Sequence, residues 1–274
     1  MRILKEKHTA ETLYLSGGVA LNVVLNESIF QSNLFNNVIL NGSVEDNGTS
    51  IGSALGAYSQ LGFKRKSTSV TDYYGRLYPQ NEIVELLDSE AQPYRILKKE
   101  QVIELAAQYI SQNKVLGWFQ KRSEFGPRAL GHRSILANPS NYKTKCILDH
   151  YMKCRDPYRP YAPIVIEEKA RNYFELDQPS PVMMRNVKVL YKSLPAITHH
   201  DGTARVQTIN RKQDALMYSL LLAVETKIGV PILLNTSFNL PGEPIVETPA
   251  DALSSFRRGG LDYLFLENIL IFRD

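Results

Sequence analysis

Arginines held between prolines and glycines are the first chemistry this sequence offers. Phe125-Gly126-Pro127-Arg128-Ala129-Leu130-Gly131-His132-Arg133-Ser134 sets two arginines and a serine in one punctuated stretch. Further on, Lys153-Cys154-Arg155-Asp156-Pro157-Tyr158-Arg159-Pro160-Tyr161-Ala162-Pro163 adds three cations, stiffened by three prolines and two tyrosines. Guanidinium forks grip phosphate bidentately, and a lysine adds a point charge. Plain surface pairing with Asp156, Glu167 and Glu168 is the alternative. Surface cations usually ride flexible helical faces, however, and these are pinned in loops, which points to a polyanion site.

Four other clusters are weaker when taken singly. Ser16-Gly17-Gly18-Val19-Ala20-Leu21-Asn22 is a glycine turn between a strand pattern and a helix pattern, where a phosphate or sugar could approach the backbone; a tight turn alone also explains it. Asp46 in Glu45-Asp46-Asn47-Gly48-Thr49-Ser50 reads as a helix N-cap or as a metal or phosphate-side carboxylate. His199-His200-Asp201-Gly202-Thr203-Ala204-Arg205-Val206-Gln207 puts Arg205 and Gln207 on one strand face and sends the two histidines to opposite sides, which argues against joint metal binding. Asn235-Thr236-Ser237-Phe238-Asn239 follows a buried strand, a favoured ligand position in α/β sheets, although a capping turn explains it equally. No nucleophile triad is readable from residue order.

Two units must position these groups. Residues 1–62 alternate strand and helix: strands at Leu13–Leu15 and Val38–Leu40, a helix from about Ala20, and a helix of small residues over Gly48–Leu61. Residues 63–81, with Lys64-Arg65-Lys66-Ser67-Thr68-Ser69, read as a solvated linker. Beyond them the pattern predicts helices at Ile83–Leu87, Val102–Ile110, Tyr142–Lys153, Gln213–Ile228 and Pro249–Arg258. Strands are predicted at Val115–Phe119, Ala162–Ile166, Val187–Tyr191, Ala204–Thr208 and Pro231–Leu234, and within Leu261–Phe272. Glu124–Pro139 reads as loop throughout, and Asn235-Thr236-Ser237 as a polar loop. The mixture implies an α/β or α+β fold around a mixed sheet.

Bulk properties exclude several classes. The 274 residues are 43% hydrophobic and 22% charged, as in ordinary globular domains. No apolar run approaches the roughly 18–20 residues a membrane span needs, and no apolar stretch follows the basic start, which argues against a signal peptide. A net charge of +4 is too small to argue for nucleic acid. Cys146 and Cys154 have neither disulfide nor zinc spacing and read as ordinary thiols of a reducing cytoplasm.

Taken in order, these stretches resemble the O-carbamoyltransferase family that includes nodulation-factor and antibiotic-tailoring enzymes. GGVALN, DNGTSIG, GPRALGHRSIL, KCRDPYRPYAP, HHDGTARVQ, PILLNTSFN and GEPIVETPADA all stand in the family's sequence. The resemblance implies a YrdC-like mixed twisted-sheet domain over residues 76–274, preceded over 1–75 by the tail of an actin-like ATPase-fold region. It implies activation of carbamoyl phosphate with ATP to carbamoyl-adenylate, and transfer to a hydroxyl of a small-molecule acceptor. Arg128, Lys153, Arg159, Arg205 and Ser237 would carry the chemistry, completed by Arg133, Ser134, Arg155, His199 and Asn235. Gly17, Gly18 and Asn22 would form a nucleotide-binding turn, and Asp46 would bind metal. Mg²⁺ would accompany ATP, and iron or another divalent metal would sit at the actin-like region, shared with residues outside this chain. A partner chain carrying that region, or self-association, is expected, as a separately encoded subunit or as a fragment. A non-catalytic scaffold subunit is the second reading and an RNA-binding module the third. Asp156, Glu45, Tyr158 and Tyr161 depart from the family's usual residues; Glu45 is the change closest to a proposed ligand.

Overall fold

The computed structural model describes residues 1–64, 72–156 and 158–273. Most of the linker reading around Arg65–Ser69 therefore lies outside the described residues. The chain opens with helix α1 (Arg2–Lys7) and a small unit in which β1 (Thr12–Leu15) and β2 (Asn37–Leu40) pair in parallel. Their crossover is a 3₁₀ turn at Gly18–Leu21 followed by α2 (Val23–Gln31), and α3 (Asp46–Gln60) follows β2.

The remaining strands are β3 (Tyr94–Ile96), β4 (Leu116–Phe119), β5 (Arg133–Ala137), β6 (Ala162–Ile166), β7 (Arg185–Lys188), β8 (Thr203–Ile209), β9 (Ile232–Ser237), β10 (Tyr263–Leu266) and β11 (Ile269–Phe272). They form one nine-stranded sheet in the order β3-β11-β10-β4-β5-β9-β6-β8-β7. Only β10–β4 and β6–β8 run parallel; the other pairings are antiparallel.

Both faces of this sheet are covered, so its central strands read as nearly continuous apolar runs. The pleat divides them between two cores. Leu116, Trp118, Leu136 and Ile164 face α5 (Lys99–Ser111) and α7 (Ala215–Ile228), meeting Val102, Ala106, Leu220 and Val224. Their neighbours Phe119, Ile135 and Val165 face the opposite way, toward Ile83 and Leu87 of α4 (Gln80–Ser89) and Ala252 and Phe256 of α8 (Pro249–Arg258). Helix α8 starts on a capping box between Thr248 and Asp251, with Pro249 in its first turn. Asp214 caps α7, which stops at Gly229 in the left-handed conformation.

The small unit docks on β7 through α2. Arg185 stacks 3.6 Å over Phe30 and pairs with Glu27 at 2.7 Å. Helix α3, by contrast, buries none of its residues. No helix among the described residues is long and apolar enough to cross a membrane. Cys146 and Cys154 are free and exposed.

Several sequence expectations need correction. Glu124–Pro139 is not loop throughout, since Arg133–Ala137 is the fully buried strand β5. Asn235-Thr236-Ser237 is not a loop but the last half of β9, paired with β5. The strand expected at Val187–Tyr191 is β7, which starts at Arg185 and ends at Lys188. β3 and the 3₁₀ segment Glu167–Asn172 had no signal, being short and without periodicity. The expected helix over Tyr142–Lys153 is α6 (Tyr142–Ile147) followed by a π-helical turn, Leu148–Lys153.

Candidate functional site

A cleft of about 760 Å³ opens at the carboxyl end of β9, beside the starts of β6 and β8. Arg128, Arg155, Arg159, His199, Arg205, Asn235 and Ser237 all line it. Residues from distant parts of the chain thus meet at one sheet edge.

Lys153 reaches that edge from the end of the π-helical turn. Its Nζ lies 2.6 Å from the Ser237 carbonyl oxygen, 3.3 Å from Ser237 Oγ, 3.0 Å from the Asn239 carbonyl oxygen and 2.8 Å from Asn239 Oδ1. An ammonium has three protons, so four oxygens share them. Those oxygens favour the charged form, but burial outweighs them and, with the nearby Arg155 charge, pushes Lys153 down to about 7.

Arg205 Nε donates to the Met183 carbonyl oxygen at 2.7 Å, while one of its terminal nitrogens is buried with no protein partner among the described residues. Arg128 Nε is likewise buried and unpartnered. Burial, then repulsion from Arg128, pulls Arg205 down to about 9, so both guanidiniums stay charged at neutral pH. Burial lowers Arg128 as well, with Glu45 opposing. Buried cationic donors without acceptors are costly in an empty protein and well suited to an incoming anion. His199 Nδ1 sits 2.8 Å from Thr203 Oγ1, and burial lowers its pKa, favouring the neutral ring.

A second cleft, of about 430 Å³, lies in the small unit and is lined by Gly17, Gly18, Ser43, Glu45, Asp46, Thr49 and Asp72, among others. Gly17 has φ +96°, a conformation that favours glycine, and its N–H donates to the Val44 carbonyl at 2.7 Å. Asp46 is exposed at the start of α3. Among the described residues, no group of three or more His, Cys, Asp or Glu side chains is arranged to hold a metal. Asp46 therefore lacks the companions a resident metal requires here, and no step is derived through one.

The family description "Carbamoyltransferase C-terminus" matches residues 107–273, and "Carbamoyltransferase N-terminus" matches residues 1–55. The chain belongs to the carbamoyltransferase family. It is 36% identical to the uncharacterized protein sll1178 of Synechocystis over 95% of this chain and 47% of that protein. With nodulation protein NolO of Bradyrhizobium diazoefficiens it shares 38% identity over 94% of this chain and 49% of that protein. The chain thus spans about half the length of these curated relatives. A crystal structure of full-length HypF in the phosphate- and nucleotide-bound form covers 65% of this chain and 22% of that one, at TM-score 0.41 and 15% identity. That likeness is too slight for residues to be compared.

In this carbamoyltransferase, four of the expected site residues stand outside both clefts' linings. Lys153 is one, and it is bonded into the first cleft through Ser237. Arg133 is fully buried in β5, where its terminal nitrogens donate to the carbonyls of Gln120, His132 and Lys121 and its guanidinium lies 3.5 Å over Phe119. Ser134 Oγ accepts from Gly131 N–H at 3.0 Å. Arg133 and Ser134 thus brace the Arg128 loop from behind. Asn22 caps α2, accepting from Val24 and Leu25 N–H. Arg155 lines the first cleft, yet it also stacks 3.8 Å over Tyr161 and bonds Asp149 and the Pro160 carbonyl, bracing the loop that carries the exposed Arg159. Asn235 lines the cleft and donates to the Ala129 carbonyl at 2.9 Å, fixing the neighbour of Arg128.

Sequence reasoning missed several contributors. Asn239 moors both Lys153 and the Ser237 hydroxyl, which donates to Asn239 Oδ1 at 2.7 Å. Glu124 Oε1 accepts from the N–H groups of Leu130 and His132, and Gln207 Nε2 donates to the Leu130 carbonyl. Asp149 gathers Lys145, Arg155 and Tyr161 beneath the loop. Only Asn239 carried a signal, the Ser-x-Asn spacing at a strand's end.

Proposed function

We propose that this chain activates carbamoyl phosphate with ATP to carbamoyl-adenylate in the first cleft, for transfer to a hydroxyl of a small-molecule acceptor. One observation carries the reading. Two guanidiniums with unpartnered buried nitrogens meet a buried amine and a serine at one sheet edge.

The chemistry balances as follows. Water releases carbamate from carbamoyl phosphate, and inorganic phosphate leaves. A carbamate oxygen bonds to the α-phosphorus of ATP as pyrophosphate departs. An acceptor hydroxyl then bonds to the carbamoyl carbon, gives up its proton, and AMP departs. Charge on the phosphates must be neutralised in the first two steps, and preorganised cations do this without reorganisation. Arg128 and Arg205 would hold phosphate oxygens with their open donors, Lys153 would neutralise charge at the Ser237 end, and Arg159 would meet ligands at the rim. His199, Asn235 and the Ser237 hydroxyl would orient them. Mg²⁺ is expected with ATP, as its usual counterion.

In this reading residues 76–274 are the YrdC-like activating region and residues 1–75 the tail of an actin-like transfer region. Gly17, Gly18 and Asp46 would serve nucleotide and metal in the second cleft, with the missing ligands supplied by residues outside this chain. The protein would work in the cytoplasm, in natural-product or sugar biosynthesis, with a partner chain or a second copy. A non-catalytic scaffold is the competing reading. ATP–pyrophosphate exchange that requires carbamoyl phosphate, measured on the folded chain alone and with any partner, is the test. Exchange in neither preparation overturns the catalytic reading.

A further inference from the structure

The two clefts are joined by two hydrogen-bonded ties, and each leads to one of the unpartnered arginines. The first tie is Asp72, only 3% exposed. Its Oδ1 accepts from Ser43 Oγ–H at 2.5 Å, on the wall of the second cleft. Its Oδ2 accepts from Gly126 N–H at 2.7 Å, and its carbonyl oxygen accepts from Phe125 N–H at 2.7 Å. Arg128 follows two residues after Gly126. The junction leaves no slack: a Cβ on Gly126 would fall 2.6 Å from Asp72 Oδ2, and one on Gly42 would fall 2.8 Å from Asp72 Cγ. Neither glycine can give way without moving the carboxylate.

The second tie is the fully buried Asn26. Its Nδ2 donates to the Ala20 carbonyl at 2.8 Å, in the 3₁₀ turn that begins at Gly18 on the second cleft. The same nitrogen donates to the Met184 carbonyl at 3.2 Å. The adjoining Met183 has φ +56° and supplies the carbonyl oxygen that holds Arg205 Nε. A non-glycine residue keeps such a conformation only where its surroundings over-determine it.

We propose that Asp72 and Asn26 are positioning residues that set the Arg128–Arg205 pair of the first cleft from the loops of the second. This rests on reading the first cleft as a polyanion site. Occupying the second cleft shifts the Gly18–Leu21 turn or the Gly42-Ser43 turn, and the ties pass that shift to the arginines. By linkage, an anion in the first cleft changes affinity in the second by the same factor.

Calorimetric titration with pyrophosphate, for the wild-type chain and four variants, tests this. Asp72→Ala and Asn26→Leu each weaken pyrophosphate binding about tenfold, within the usual span of such couplings. Ser43→Ala, which lies only on the second cleft, also weakens it, by a smaller factor. Asp72→Asn restores most of the affinity, because an amide can accept from Gly126 N–H and donate to Ser43 Oγ. Val224→Ala in the α7 core is the control. It lowers the melting temperature and leaves pyrophosphate affinity unchanged. If Asp72→Ala fails to fold, Asn26→Leu and Ser43→Ala carry the comparison. Wild-type affinity in both of these overturns the coupling while leaving the site intact. Val224→Ala weakening binding as much as the tie variants overturns it too, as a general stability effect. A wild-type chain that does not bind pyrophosphate overturns the polyanion reading itself, and the ties with it.

Discussion

The Lys153 amine sits 2.6 Å from the carbonyl oxygen of Ser237 and 3.3 Å from its hydroxyl, so the end of a helical segment is moored to the end of a central strand. That mooring keeps a cation under cover, and the first prediction follows from what burial does to it. Lys153 is pushed down to about 7 by burial and then by Arg155. An anion binds the protonated amine better, so pyrophosphate affinity should fall as pH rises from about 7 toward 9, and binding near neutrality should take up a proton. Calorimetry in buffers of differing ionisation enthalpy reads both. Lys153→Met should bind more weakly and show no pH step near 7. Folding has the opposite sense. The native pKa lies below the unfolded value of 10.5, so the unfolded chain holds more protons between about 7 and 10.5. This group therefore costs stability in full below 7, and the cost disappears as pH climbs through that window.

Arg128 and Arg205 repel one another in the empty cleft. Arg128→Ala should relieve Arg205, so the variant melts no lower than wild type, or slightly higher, while pyrophosphate affinity drops about 10- to 100-fold, the range for a lost charged hydrogen bond. Differential scanning fluorimetry with and without pyrophosphate separates the two effects. Wild type should gain about 2.7 kcal/mol of stability at 100 times the dissociation constant, and the variant almost nothing at that concentration. A variant that melts several degrees lower with affinity retained would contradict this.

Asp214 ties the same region to acid stability. Burial alone would raise its pKa, but the hydrogen bond and charge of His132 and the charge of Lys121 outweigh burial and hold it well below the usual carboxylate range. The native pKa is thus below the unfolded one. The stability it contributes is present above about pH 4 and is lost as pH falls toward the native value. Asp214→Asn should flatten the loss of stability between pH 4 and pH 2 and cost about 3 kcal/mol at neutral pH, by leaving His132 and Lys121 without their carboxylate. Chemical denaturation across that pH range checks it.

The small unit presents unburied apolar surface on and beside α3, with Leu61 74% exposed, Phe63 55% and Tyr58 45%. Patches of this kind mark interaction faces. The isolated chain should bind a hydrophobic dye and self-associate at micromolar concentration. The triple change Tyr58→Ser, Leu61→Ser, Phe63→Ser should suppress both without altering pyrophosphate affinity. Light scattering and titration on one preparation suffice, and unchanged self-association would remove the patch as its cause.

The sequence made much of the fold legible where side-chain periodicity was clean. Helices α4, α5, α7 and α8 and strands β4, β6 and β8 lie where their apolar spacing puts them. Strand β5 was hidden because Arg133 and Ser134 look like loop residues after Gly126-Pro127. Only the pairing of Phe119 with Arg133 and Ser134 with Ser237 turns them into a buried strand. Arg128 and Arg205 were recognisable from their brackets of glycine and proline. Arg133 resembled Arg128 by proximity alone, and its partners are backbone carbonyls that no sequence pattern announces. Asp72, Glu124 and Gln207 were invisible for the same reason, since what they do is set by residues far away in the chain.

The π-helical turn at Leu148–Lys153 has a consequence for how the site tolerates insertion and deletion. Such a turn is an α-helix widened by an extra residue, and it ends here at the amine and at Cys154 in the left-handed conformation. Removing one residue from it would let the helix rewind, turning everything downstream by about 100°. The ammonium would leave the oxygens of Ser237 and Asn239, and the Arg155 brace would swing away with it. A single-codon deletion in this short stretch is therefore a sharper lesion than most point substitutions, because it rotates two cations out of register while leaving every side chain chemically intact.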